Sequence, residues 1–213
     1  IGLECVEIDV KISKDYIPLL LHDDTLDRTT NGSGLVCDFT FDEINQLDAG
    51  YYFYKSKTDI KVPSLTDVLD LVKKNKKNLN IELKPNKKFE SLNIKKVLQE
   101  VKKASYENIY FSSFNLSSCI DLKESSPDVL CGFLNDDFNV ISINETIDIC
   151  KKYNFFCCGI NLKSFSSSIV ERFLENDIKI TIYAERNILL NEAQNLWNNK
   201  VTSIFIDDPS EYF

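Results

Sequence analysis

The chain has no methionine, one histidine and one tryptophan in 213 residues. Methionine is missing even at position 1, so the native start is expected upstream of Ile1, and a removed leader stays open. The single histidine, His22, limits imidazole acid–base chemistry to one group. No apolar run approaches the ~18 residues of a membrane-spanning helix, and no signal-peptide pattern is visible. Paired Cys-x-x-Cys units are absent, and seven cysteines are an odd number in a chain of ordinary domain size, which excludes a disulfide framework. Cys5, Cys131, Cys157 and Cys158 lie in apolar runs, where cysteine acts as a small hydrophobe. This usage points to a reducing, cytoplasmic setting. Repeats, low-complexity tracts and linkers are also missing. The one Gly-rich stretch, Asn31-Gly32-Ser33-Gly34, lacks the following helix and lysine of a phosphate loop and reads as a turn.

Basic charge is scarce as well. Against 33 acidic residues stand 25 Lys and Arg, for a net charge of -8. Such a surface offers no field for nucleic acid or an anionic membrane. A small anionic substrate stays open, because one bound metal ion overrides the global charge locally.

What is present is an alternation of strand and helix patterns. Short apolar or alternating runs occur at Leu3–Val10, Leu79–Lys84, Asn108–Ser113, Val129–Leu134, Phe156–Leu162, Lys179–Ala184 and Ser203–Asp207. Helical periodicity occupies Leu65–Lys74, Phe89–Lys103, Leu116–Glu124, Ile143–Tyr153, Ser166–Glu175 and Ile188–Trp197. Ser64 with Asp67 reads as a helix start, and so does Asn187 before Ile188. The alternation predicts an α/β domain over 1–213, with a parallel sheet of seven repeat strands, one short of a closed (β/α)₈ barrel. The first interval is anomalous. Some fifty residues separate Val10 from Leu65, with a hairpin-like piece (Ile12–Tyr16, then Pro18–His22), the Gly turn and the aromatic run Tyr51–Tyr54. A long insertion at the C-terminal end of a barrel strand is where a substrate cover would sit.

Strand alternation places Glu7 and Asp9 on one face and Val6, Ile8 and Val10 on the other. The run Leu79–Lys84 repeats this, with Asn80, Glu82 and Lys84 sharing a face. Charges on the inner face of a core strand are costly unless paired or liganded. Two readings are open: an oxygen-only site for Mg²⁺ or Ca²⁺ with Lys84 beside it for a phosphate oxygen, or a buried salt-bridge cluster. His22 ends the run Pro18–His22, thirteen residues after Asp9, and is either a hydrogen-bonded structural group or an acid–base catalyst. Arg28 reaches a phosphate or holds the insertion in place. Tyr51–Tyr54 form a hydrophobic rim or pack the insertion down. Trp197 and Cys157-Cys158 read as core. With no apolar surface loop or basic patch in view, soluble substrates are favoured.

The blocks Glu7-Ile8-Asp9-Val10-Lys11-Ile12-Ser13-Lys14-Asp15 and Leu21-His22-Asp23-Asp24-Thr25-Leu26-Asp27-Arg28-Thr29-Thr30-Asn31-Gly32 resemble the signature of the glycerophosphodiester phosphodiesterases. Asp48-Ala49-Gly50, Val62-Pro63-Ser64-Leu65 and Asn80-Ile81-Glu82-Leu83-Lys84-Pro85 match it too. Weaker matches follow at Ser112-Ser113-Phe114 and Ile206-Asp207-Asp208-Pro209. The resemblance covers essentially the whole chain. It implies a TIM (β/α)₈ barrel of the phospholipase-C-like phosphodiesterase type, with an insertion at about 23–61. It implies a divalent metal, Mg²⁺ or Ca²⁺, on Glu7, Asp9 and Glu82. His22 matches one of two catalytic histidines, and Lys84 a phosphate contact. The implied reaction is hydrolysis of a glycerophosphodiester to glycerol 3-phosphate and an alcohol.

The family's opening strand, ending in His-Arg-Gly, and its first helix have no counterpart in these residues. Seven strands and one histidine agree with that. The expectation is a barrel without its first strand and helix, and activity impaired by loss of one acid–base partner. Two alternatives remain: an inactive remnant or partner-dependent binding domain, and a related phospholipase acting on lysophospholipid or phosphoinositol headgroups. Near the C-terminus, Ile182-Tyr183-Ala184-Glu185-Arg186 departs from the family's aromatic-Thr-Val-Asn strand end. Tyr183 still offers an aromatic wall to a substrate, while Glu185 and Arg186 alter the rim.

Overall fold

The computed structural model describes residues 2–212 and divides into two compact units, one covering Cys5–Ile109 and the other starting at Tyr110. All seven repeat strands and all six helices expected from the sequence form, with ends shifted by a few residues.

In the first unit, β1 (Cys5–Ile12) and β3 (Asn78–Leu83) pair in parallel. Between them in sequence, β2 (Pro18–Leu20) turns back antiparallel on the end of β1, with Val10 opposite Leu20 and Ile12 opposite Pro18. Nearly all of β3 is buried on both faces, as expected of a parallel strand with helices packed over it. The helix α3 (Leu65–Asn75) starts at a capping box in which Ser64 and Asp67 satisfy each other's backbone N–H groups. It buries Leu65, Leu69 and Val72, one stripe at helical spacing, and ends on Lys76 in the left-handed region. After β3 comes α4 (Glu90–Ala104), which buries Asn93, Ile94 and Val97.

The insertion leaves and rejoins the same place. Leu20 N donates to Pro63 O (3.1 Å), and Leu19 bridges Ser64. In between lie the short helices α1 (Phe41–Gln46) and α2 (Tyr51–Tyr54). The insertion carries its own core of Leu19, Leu21, Leu26, Val36, Ile44 and Val62, against which Phe39, Phe41, Leu47 and Ala49 pack.

The second unit repeats strand and helix without interruption: β4 (Ile109–Ser113, beginning at the boundary), α5 (Leu116–Ser125), β5 (Cys131–Asn135), α6 (Ile143–Tyr153), β6 (Cys157–Asn161), α7 (Ser167–Leu174), β7 (Lys179–Tyr183), α8 (Leu190–Asn198) and β8 (Ser203–Ile204). Each strand pairs in parallel with the next. Gly159 in β6 makes room for the Leu134 side chain of β5, which a Cβ there would displace. Cys119, Cys131, Cys150, Cys157 and Cys158 are buried in this unit, and all seven thiols are free. Burial pushes the Cys157 thiol far up, so it packs as an apolar group.

Three sequence expectations need correction. Cys5 is exposed, because it lies at the outer start of β1. Trp197 is 45% exposed and meets the Tyr212 ring edge-on instead of entering the core. Asn187 does not start α8. Glu192 closes that helix end by accepting from Leu189 N (2.9 Å), and the Asn187 side chain instead accepts from the Asp207 and Asp208 amides.

Candidate active site

The parallel register of β1 and β3 places Glu7 opposite Asn80 and Asp9 opposite Glu82. One carboxylate oxygen each from Glu7, Asp9 and Glu82 lies within 4.8 Å of the other two. Among the described residues this is the one group of His, Cys, Asp and Glu so arranged. Lys84, just beyond β3, brings its Nζ to 2.6 Å from Glu82 Oε1 and 3.7 Å from Asp9 Oδ1. Burial pushes the Glu82 carboxyl above its ordinary value, and the Lys84 ammonium pulls against that push. Three acids facing one base leave an excess of negative charge on oxygen donors, the chemistry that hard divalent cations satisfy.

His22 follows β2 by two residues. Its Nδ1 is 2.7 Å from Asp23 Oδ1. Asp23 in turn accepts from Arg28 Nε (2.6 Å) and Nη2 (2.8 Å). The Arg28 guanidinium holds the Asp23 carboxyl well below the usual carboxylate range, more than offsetting its partial burial, and His22 adds to the effect. Asp23 is therefore an anion at neutral pH and accepts the Nδ1–H of His22. The Nε2 nitrogen is then left for chemistry. Arg28 forms this clamp and also acts through space on Asp9, so both of its sequence readings stay open.

Sequence reasoning did not single out Lys11, Asp23 or Asp24. Lys11 is 2% exposed at the end of β1, and its Nζ donates to Asp24 Oδ1 (2.6 Å) and to the Lys84 carbonyl (3.0 Å). It thus ties the segment after His22 to the residue that faces the carboxylates. Alternation contained the signal, for Glu7, Asp9 and Lys11 share one face of β1. Asp23 carried none beyond adjacency to the only histidine.

Glu7, Asp9, Glu82 and Lys84 are thus brought together, and His22 is oriented beside them in the same unit. Tyr183 ends β7 in the second unit. Its ring meets Phe114 edge-on at 5.1 Å, and its hydroxyl donates to Asp136 Oδ1 (2.6 Å). The neighbouring charges face locally: Glu185 pairs with Lys163 (2.7 Å) and Arg186 with Glu192 (2.6 Å).

The pattern of the glycerophosphoryl diester phosphodiesterase family matches residues 1–211. The chain belongs to this family. A glycerophosphodiester phosphodiesterase of Caldanaerobacter subterraneus subsp. tengcongensis is 36% identical over 135 residues, which are 63% of this chain and 56% of that protein. The chain thus spans little more than half of that relative. A glycerophosphodiester phosphodiesterase of Bacillus altitudinis is 26% identical over 98% of this chain and 84% of its own length. Among solved structures, a phosphodiesterase of Oleispira antarctica, in complex with the product sn-glycerol-3-phosphate, superposes with a TM-score of 0.87 at 26% identity. That match covers 96% of this chain and 81% of the other. A glycerophosphodiester phosphodiesterase of Agrobacterium tumefaciens, 23% identical with a TM-score of 0.81, shares the fold. The α/β barrel type expected from the sequence is the fold class of this family member.

Proposed function

We propose that the chain hydrolyses glycerophosphodiesters to glycerol 3-phosphate and an alcohol, with Mg²⁺ or Ca²⁺ held by Glu7, Asp9 and Glu82. The observation that carries this reading is the set of three carboxylates from β1 and β3 with one lysine among them. Family membership supports the reaction class, and the product in the Oleispira relative supports glycerol 3-phosphate as the phosphate-bearing half. The donor set fits either ion, since both take oxygen ligands and keep positions for water and phosphate oxygens.

When bound, the ion supplies polarisation of the phosphoryl oxygens. The remaining work falls to side chains of the chain. Lys84 holds a phosphate oxygen as a point charge and stays close to Glu82 while doing so. His22 Nε2 takes the proton of the attacking water or returns one to the leaving alcohol oxygen, with Asp23 fixing its tautomer and stabilising the imidazolium. Lys11 and Asp24 hold the two segments that present His22 and Lys84. These 213 residues supply one imidazole where the family resemblance implies two. Turnover by them alone is expected to lie ~10²–10⁴ below that of a complete acid–base pair. The seven free thiols support a reducing, cytoplasmic setting.

The test is hydrolysis of glycerophosphocholine with and without a chelator, paired with calorimetric titration of Mg²⁺ and Ca²⁺. Slow turnover abolished by chelator, and ion binding lost in Glu82→Gln, are expected. Turnover that survives metal removal overturns the ligand assignment.

A further inference from the structure

The segment Tyr51–Lys61 lies outside the core of the insertion. All four aromatic residues of α2 are exposed: Tyr51 by 41%, Tyr52 by 53%, Phe53 by 82% and Tyr54 by 57%. Ile60 adds a further 45% exposed side chain. The rings meet one another edge-on, Tyr51 with Tyr52 at 5.3 Å and Phe53 with Tyr54 at 4.9 Å. The sequence reading saw no apolar surface loop. The structure contains one, because the run Tyr51–Tyr54 forms a single helical turn that projects from its base.

That base is firmly built. Ala49 N donates to Ile60 O (2.9 Å), which closes the two ends of the loop on each other. Buried Asp48 accepts from Gly50 N (2.9 Å) and from both the amide and the hydroxyl of Thr58. Asp48 N donates to Asn31 Oδ1 (2.8 Å), and Lys61 Nζ donates to Gln46 O (3.0 Å) and Leu47 O (3.3 Å). Gly50 leaves room for the Thr58 hydroxyl, which a Cβ there would push aside. The turn ends with Lys55 at φ +52°, a conformation that side chains rarely adopt. The aromatics are therefore held out by a closed, hydrogen-bonded collar instead of folding back onto the core. A contiguous exposed apolar patch on a fixed base is the mark of an interaction surface.

Charge indicates the partner. From Tyr51 to Lys61 three lysines stand against one aspartate, in a chain whose net charge is -8. Lys55 and Lys57 are exposed and follow the aromatic turn in sequence. Aromatic rings seated at headgroup level with lysines reaching alongside them suit the interface of an anionic bilayer. Net charge had argued against such a partner, but the field that a bilayer meets is the local one, within a Debye length of ~8–10 Å.

We propose that α2 and its flanking lysines dock the chain on the surface of an anionic lipid bilayer. No helix among the described residues is long and apolar enough to cross a membrane, so this contact is peripheral. The proposal is independent of the catalytic reading, because its test involves neither metal nor turnover.

The test is co-sedimentation of the full chain with vesicles of phosphatidylcholine alone and of phosphatidylcholine with phosphatidylglycerol. Binding to the anionic vesicles, weakened by high salt, is expected. Phe53→Ala should lower partitioning by about tenfold, from the lost burial of one large ring. Lys55→Glu with Lys57→Glu should lower it by at least about 30-fold, from ~1 kcal/mol per lysine. All three side chains are exposed, so folding is checked by the unchanged thermal transition. No sedimentation with either vesicle, or sedimentation indifferent to both variants, overturns the proposal. So does a dimer in solution that Phe53→Ala dissociates, since the face would then be covered by a second copy.

Discussion

The two units use the polar side chains of their parallel strands in opposite ways. In the second unit the polar groups there are consumed locally. The Asn135 side chain at the end of β5 donates to Ile141 O (2.9 Å) and Thr146 Oγ1 (2.8 Å) and accepts from Asp137 N (3.1 Å). Asn161 at the end of β6 accepts from Lys163 N, and Ser113 at the end of β4 from Asn115 N. These amides and hydroxyls shape the loops and ask for nothing more. In the first unit Glu7 and Asp9 lie within β1, Glu82 near the end of β3 and Lys84 just beyond it, and their charges face one another and do not balance. The same βα geometry thus carries neutral, locally satisfied groups in one unit and an excess of charge in the other, where the proposed metal site lies.

The sharpest way to break this comparison is to neutralise one charge at the excess. Glu82→Gln keeps the volume and removes one negative charge of the proposed ligand set, so Mg²⁺ or Ca²⁺ affinity should fall by more than ~100-fold, with turnover falling alongside. Titration calorimetry and the rise in thermal midpoint on adding ion measure it. Wild-type affinity in the variant would make the carboxylates a structural cluster after all. Lys11→Met is next in size. It strips the Lys84 carbonyl of a donor and leaves Asp24 without its cation, but Asp24 is 56% exposed and water takes over there. The loss should be about 1–3 kcal/mol by urea unfolding. A positioning role adds a fall in kcat out of proportion to KM, which a merely structural lysine would not give.

On the scaffold side, Asn135→Ala leaves Thr146 and Ile141 O short of one donor each in a buried place. It should cost about 1–2 kcal/mol in urea unfolding and leave ion affinity unchanged. A change in ion binding would mean that the two kinds of polar group are not separable.

The contrast also explains what the sequence disclosed. Periodicity revealed every repeat strand and helix, because alternation and 3.6-residue spacing follow from burial of one face. It revealed the carboxylates for the same reason, since Glu7, Asp9 and Glu82 interrupt the inner faces of apolar strands. Lys11 was legible by parity alone. The clamp of Asp23 on His22 and Arg28 was not, because it joins side chains across an irregular loop with no period. Asn187 failed as a helix start because capping was taken over by Glu192, three residues beyond the true N-cap Leu189. The sequence left both readings of Tyr51–Tyr54 open, because an aromatic run looks the same whether it packs inward or is propped outward.

The smallest expected effect concerns a charged pair of the second unit. Glu192 accepts from both terminal nitrogens of Arg186 (2.8 and 2.6 Å) and from Leu189 N. The Arg186 hydrogen bonds, then that amide, hold its carboxyl down at about 2, below the usual 4.5. A carboxyl depressed on folding binds its proton more weakly folded than unfolded. Its stabilisation is therefore complete above about 4.5 and lost as pH falls through about 2. Both side chains meet water, with Arg186 56% and Glu192 28% exposed, so screening leaves the pair a small contribution. Glu192→Gln should lower the thermal midpoint slightly and evenly above pH 5, with the gap closing between pH 4.5 and 2 and shrinking in 1 M salt. A gap that persists at the acid end, or ignores salt, would show that the loss lies in the α8 cap and not in the charge. The distinction matters, because a screened surface pair can be exchanged at little cost, whereas the proposed ligand set on β1 and β3 is expected not to tolerate exchange.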